Sequence, residues 1–355
     1  MTRRERVMKA LNHELPDRTP VHVIGVDEPE RYFASMGVST GDELTGALDL
    51  DVAYVRSYDD YAGPELPENV SIWGTPVFEE GNGRMTTYSE SRGAHPLSDA
   101  GTVGDVERHA WPSAENYRYD ILRTKAASCG DAARILFMGW EPVFCRVLDL
   151  FGAQEAMVRH WLDPGTVEAV IERISDFLVS RARMMLEAAA DSAEAFWFGD
   201  DFASERGMII SPDMWRRFYR PTYRRIFDLV KAHGLKVWFH SCGSPVEVLP
   251  DLVDMGMDVW ETCQMHLAGN DPATLKRDYG RHLSFFGGIS TQRTLPFGTE
   301  EEIRAEVRQR IDVLAQRGGY ICGPDHSVRP EVPLGSLLAL LDEARRYRNA
   351  SCHAP

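Results

Sequence analysis

Lys236-Val237-Trp238-Phe239-His240-Ser241-Cys242-Gly243 reads as an apolar strand that carries its chemistry at the exit. In an extended chain, side chains two apart share a face, so the His240 imidazole and the Cys242 thiol project together. A second run, Gly319-Tyr320-Ile321-Cys322, ends on another thiol. One imidazole and two thiolates form a borderline-soft donor set suited to tetrahedral Zn²⁺, and three protein ligands leave one corner open for a substrate. The expected metal ligands are therefore His240, Cys242 and Cys322.

Outward from that strand, short β-rich runs alternate with longer helical ones. Eight extended runs are predicted, at 21–25, 51–55, 134–139, 195–199, 236–240, 257–261, 283–287 and 319–322. Between them lie helical patterns, such as 212–233 with Phe218, Tyr223, Phe227 and Val230 on one face, and 300–317 opened by Thr299 as N-cap. Repeated βα units predict an α/β fold, a (β/α)8 TIM barrel. The alternative, an open doubly wound sheet, finds no Gly-x-Gly-x-x-Gly turn after the first run.

Residues 59–105 interrupt the alternation. There Val77-Phe78 and Met85-Thr86-Thr87-Tyr88 flank Gly81-Asn82-Gly83, a hairpin signal. This stretch is predicted to be an insertion between the second and third strands that caps the barrel mouth and carries Trp73 and Tyr88. The expected organisation is one barrel domain over 1–349 with a frayed tail at 350–355.

Barrels of this kind work at the carboxyl ends of their strands. Here those ends carry Glu141, Asp200-Asp201, Glu261 and Cys322-Gly323-Pro324-Asp325-His326 besides the opening segment. Neighbouring residues on a strand face opposite ways, so one of the two aspartates looks into the mouth. Asp200 is assigned as a displaceable fourth zinc ligand and Asp201 as a helix cap, with the reverse left open. His326 is suited to take a proton from an incoming thiol or to hydrogen-bond a substrate carboxylate, and Glu141 is a further candidate acid. Trp140 reads either as packing or as a platform for a flat substrate, and Arg329 either as solvated or as an anion contact. Two protein thiolates would leave zinc electron-rich, which favours alkyl transfer over water activation.

Bulk properties narrow the class. The chain has 355 residues, 43% hydrophobic and 26% charged, enough to bury a large core. A net charge of −15 without a basic stripe argues against nucleic acid. No apolar stretch predicts a membrane span, and the start runs into an amphipathic helix rather than a signal sequence. The six cysteines lack the spacing of a disulfide framework, so a reducing, cytoplasmic setting is expected. Cys129, Cys145 and Cys352 read as inert, whereas Cys263 follows a predicted strand and could approach the site.

Gly199-Asp200-Asp201, Ile210-Ser211-Pro212-Asp213-Met214-Trp215, Phe239-His240-Ser241-Cys242-Gly243, Gly287-Gly288-Ile289-Ser290-Thr291-Gln292 and Leu295-Pro296-Phe297-Gly298-Thr299 resemble the uroporphyrinogen decarboxylase superfamily. The resemblance implies a (β/α)8 barrel. Its His-x-Cys followed by a distant Cys is similar to the zinc-dependent methyltransferases of that superfamily, which pass a methyl group from a methyl-corrinoid to a thiol such as coenzyme M. It implies ligand roles for His240, Cys242 and Cys322, a methyl-corrinoid donor, a small thiol substrate and a corrinoid protein as possible partner. The decarboxylase branch fits less well, because its arginine-rich motif is replaced by Ile24-Gly25-Val26-Asp27-Glu28-Pro29, acidic where a tetrapyrrole's carboxylates need cations. A lyase, either a decarboxylase or a zinc-assisted C–S or C–O lyase, stays as the alternative. An isologous homodimer is the common outcome for soluble enzymes in general.

Overall fold

Strands that alternate inward and outward side chains need an apolar lumen on one side and a helical layer on the other. The computed structural model of the chain builds both, and it describes residues 1–57, 60–79, 84–86 and 95–348. In chain order the strands among these are β1 (Val52–Arg56), β2 (Val77–Glu79), β3 (Arg84–Thr86), β4 (Ala133–Phe137), β5 (Ala195–Gly199), β6 (Ala203–Ser204), β7 (Gly207–Met208), β8 (Lys236–His240), β9 (Val259–Glu261), β10 (Ser284–Ile289) and β11 (Tyr320–Pro324). Seven of them form one parallel sheet in the order β1-β4-β5-β8-β9-β10-β11. The architecture is α/β and TIM-barrel-like.

Parity sorts the side chains. Ala195 and Trp197 of β5, Trp238 of β8, Val259 of β9, Phe286 of β10 and Ile321 of β11 share one inner cluster, while Phe196, Phe198, Val237 and Phe239 belong to the outer one against the helices. The helix Arg3–Leu11, opened by a capping box between Thr2 and Glu5, sends Val7 and Leu11 into the inner cluster. Its Arg4 N–H bonds the Asp131 carbonyl just before β4, so this helix closes the end of the barrel opposite the strand exits.

The predicted first strand is a correction. Residues 21–25 form no ladder; Val21 makes a single parallel bridge to Cys322. The Cys322 N–H bonds Pro20 O at 2.8 Å, and on the other side the Asp51 N–H bonds Val21 O at 2.9 Å. One residue thus spans the two sheet edges where an eighth strand was expected. The reason is local competition: the Val21 N–H donates to the Asp51 carboxylate at 2.8 Å instead of a strand carbonyl. Arg6 and Arg18 hold that buried carboxylate in place.

Two helical predictions also shift. The 212–233 pattern is two helices, Pro212–Phe218 and Arg220–Ala232, because Pro221 lacks the N–H that would continue the first. The 300–317 pattern is the helix Glu300–Leu314, capped by Thr299 as expected.

In the 59–105 segment β2 and β3 pair antiparallel. The Gly81-Asn82-Gly83 turn and Tyr88 lie outside the described residues, as does the tail predicted to fray. Trp73 is buried with its ring 5.0 Å from that of Phe177 on the helix Pro164–Ala189, so this part of the segment packs on a flanking helix.

Candidate metal centre

His240 is the last residue of β8 and follows Trp238 on the inward face, so its imidazole enters the strand-exit end of the barrel. The chain then turns at Gly243, whose φ of +77° and whose missing Cβ, with the Ser204 carbonyl 2.6 Å from that position, require glycine. Two residues on from His240 and just before this turn, the Cys242 thiol lies beside the imidazole: Sγ stands 3.4 Å from His240 Nε2. His326, two residues past β11, joins them. One donor atom from each of His240, Cys242 and His326 lies within 4.8 Å of the others, a spacing that fits three ligands around one ion.

The group is positioned by buried carboxylates. His240 Nδ1 donates to Glu261 Oε1 at 3.0 Å, which leaves Nε2 facing Cys242 as the donor atom. His240 and Glu261 are register partners on β8 and β9, which brings them side by side. Glu261 is fully buried and also accepts from Trp197 Nε1 at 3.0 Å, Tyr54 OH at 3.0 Å and Trp238 Nε1. Burial pushes its pKa up, but His240 and the two indoles outweigh that and hold it below the usual glutamate value. Asp201 Oδ1 accepts the Cys242 N–H at 2.8 Å and lies 3.7 Å from His240 Nε2.

Electrostatics favour a thiolate. Burial and the Asp201 charge raise the Cys242 pKa, yet His240 and His326 pull it below the ordinary thiol value. Burial works against protonated imidazoles, but Cys242 raises the pKa of both His240 and His326. Without a metal the two imidazoles hold that positive charge as protons; a divalent cation would take their place between the thiolate and the ring nitrogens.

The expected ligand Cys322 is not brought to this group. Ile321 takes the inward position on β11, so Cys322 belongs to the outer cluster. There burial pushes its thiol up to about 12, with Tyr320, Glu306 and Arg310 as its electrostatic neighbours. Asp200 is a second correction. It is fully buried and its carboxylate accepts the N–H groups of Val143 (2.9 Å), Phe144 (2.6 Å) and Cys145 (3.2 Å) and the Tyr223 hydroxyl (2.6 Å). Asp200 therefore caps the helix Phe144–Phe151, and Asp201 is the aspartate that faces His240 and Cys242.

Glu141 also stands apart. Its carboxylate meets Arg146 at 3.4 Å, Arg181 at 3.5 Å and the Trp73 N–H at 3.0 Å, a buried charge cluster beside Phe177. His326, expected as a proton acceptor, is placed instead among the candidate ligands. Cys263 is buried, donates to the Trp260 carbonyl and is absent from the group. Trp140 sets its ring edge-to-face with His240 at 5.4 Å. Arg329 is exposed and meets Asp27 at 3.5 Å. A cavity of about 660 Å³ opens beside the group, with Cys242, His326, Gln264, Gln292, Phe297 and Arg329 in its wall.

Among the described residues no helix is long and apolar enough to cross a membrane. Residues 151–347 match the family model for uroporphyrinogen decarboxylase (URO-D). The chain is 23% identical over 193 residues to uroporphyrinogen decarboxylase from Bacillus cereus, covering 53% of this chain and 49% of that protein. It is 26% identical over 188 residues to the same-named protein from Syntrophotalea carbinolica, covering 52% and 49%. These matches span about half the length of the curated relatives. Among solved structures, a methyltransferase from Methanosarcina mazei superposes with a TM-score of 0.71 at 19% identity, over 97% of this chain and 98% of that one.

Proposed function

Given that the chain belongs to the uroporphyrinogen decarboxylase (URO-D) family, we propose that it is a zinc-dependent alkyltransferase that moves a methyl group from a corrinoid to a small thiol. The observation that carries this reading is the convergence of His240, Cys242 and His326 at the strand exits beside an open cavity. The likeness in fold to the Methanosarcina mazei methyltransferase supports it. Zinc held by these three would keep the substrate thiol as its thiolate at neutral pH.

The chain's own residues supply the rest. Glu261 fixes the His240 tautomer, and Asp201 holds the Cys242 turn by its N–H. The cavity admits the thiol next to Cys242 and His326. A methyl-corrinoid at this rim would supply the methyl carbon that the thiolate sulfur bonds to, and would keep the electron pair of the broken carbon–cobalt bond, so that a thioether leaves as product. The donor is methylcobalamin or a corrinoid protein docked at the same rim.

One observation favours a second reading. With Cys322 outside the group, the ligand set holds one thiolate, which leaves zinc a stronger Lewis acid than two thiolates would. That suits a lyase acting on a small carboxylated substrate. The test is the cobalamin spectrum on mixing zinc-loaded protein with methylcobalamin and a panel of thiols. Thiol-dependent conversion to cob(I)alamin supports transfer, and its absence with every thiol, in protein holding one zinc, rejects it.

A further inference from the structure

A second cavity, about 800 Å³, lies between the 22–26 segment and β1, and shares no lining residue with the cavity beside the metal group. It exists because residues 21–25 pair with the sheet through one residue instead of a full strand, so the two chains part beyond Val21. Its wall carries three cations, Arg3, Arg56 and Lys125, against one carboxylate, Asp42, in a chain of net charge −15. Arg3 is committed to Asp49 and Asp131, and Lys125 to Asp60. Arg56 has no ion pair among the described residues.

An independent feature points the same way. His22 lines this cavity, is 2% exposed, and has both ring nitrogens without a hydrogen-bond partner. A buried polar group left unpaired costs about 1–3 kcal/mol, so its retention calls for a partner that the protein itself does not supply. Its ring packs against Tyr54 at 4.9 Å and Phe286 at 5.2 Å. The Arg56 charge is close enough to act on both His22 and Tyr54. Beside these polar groups the wall also carries an aliphatic stretch, Ile24, Leu44, Leu48 and Val52.

We propose that this crevice binds a small amphipathic carboxylate, its head group between Arg56 and His22 and its apolar body along Ile24, Leu44 and Leu48. The neutral His22 ring donates to a carboxylate oxygen, and Arg56 supplies the charge. The site is independent of the alkyltransferase reading, since no metal-group residue takes part.

The test is calorimetric titration of the full chain with octanoate, repeated with octanol as the uncharged homologue. The expected result is saturable binding of one octanoate per chain, at least tenfold weaker in Arg56→Gln and in His22→Leu and unchanged in Arg329→Gln, with octanol not binding. Because Arg56 is exposed, Arg56→Gln decides the matter even if His22→Leu fails to fold. Absence of saturable binding, equal affinity in Arg56→Gln, or loss in Arg329→Gln alone would overturn the proposal.

Discussion

The Glu261 carboxylate lies 3.0 Å from Nδ1 of His240, its register partner on the neighbouring strand, and with that bond decides which imidazole nitrogen faces Cys242. A carboxylate behind a ligating histidine typically governs metal affinity about 10–100-fold. Glu261→Gln keeps the shape but removes the charge and turns one acceptor into a donor facing Trp197, Trp238 or Tyr54. Zinc affinity, measured by competition with a chromophoric chelator, is expected to fall by about one to two orders of magnitude. Unchanged affinity would mean that the carboxylate serves the fold alone.

The two thiols predicted as ligands should separate. Cys242→Ala is expected to abolish stoichiometric zinc, whereas Cys322→Ala keeps it and loses about 1 kcal/mol of stability from a small void in the outer core. Metal content of purified protein and urea midpoints read the two effects. Zinc lost in Cys322→Ala with the fold intact would restore the thiol to the ligand set.

Asp200→Ala strips the partners from three buried N–H groups and from the Tyr223 hydroxyl. Loss of the cap and of its buried bonds is expected to cost about 2 kcal/mol or more, while zinc stoichiometry stays as in the parent. Asp201→Ala, which frees the Cys242 N–H, should weaken zinc with little effect on the melting temperature. The reverse pattern would exchange the roles of the two aspartates.

His22 gives a pH signature. Burial pushes its pKa down to about 4; Glu261 opposes this and Arg56 adds to it, with Tyr54, Trp238 and Phe286 as the rings packed around it. The ordinary histidine value is about 6.5, so between there and 4 the unfolded chain binds the proton that the folded one refuses, and stability falls as the pH drops through that window. The contribution is present above pH 6.5 and amounts to about 3 kcal/mol at full loss. In His22→Leu the difference in unfolding free energy between pH 7 and pH 4 should shrink by that order. An unaltered pH slope in the variant would place a partner on the ring.

The β-rich runs were legible because apolar and β-branched residues mark each strand locally, and seven of the eight expected strands occur within two residues of their predicted starts. The missing first strand was not legible, since it depends on the Asp51 side chain taking the Val21 N–H, thirty residues away in sequence. His240 and Cys242 could be paired by spacing because two residues on one strand end share a face. Cys322 could not be placed that way: which of Ile321 and Cys322 faces inward is set by the register of β11 against β10 and Val21, a property of the assembled sheet. The same limit left Asp200 and Asp201 interchangeable, and hid that His326, in the loop beyond β11, reaches the group that Cys322 does not.

The ligand set itself can be measured by X-ray absorption at the zinc edge of the loaded protein. His240, Cys242 and His326 predict one sulfur at about 2.3 Å and two imidazole nitrogens at about 2.0–2.1 Å, with any further ligand a light atom. Two sulfur scatterers in substrate-free protein, or a metal shell with no sulfur, would contradict the account.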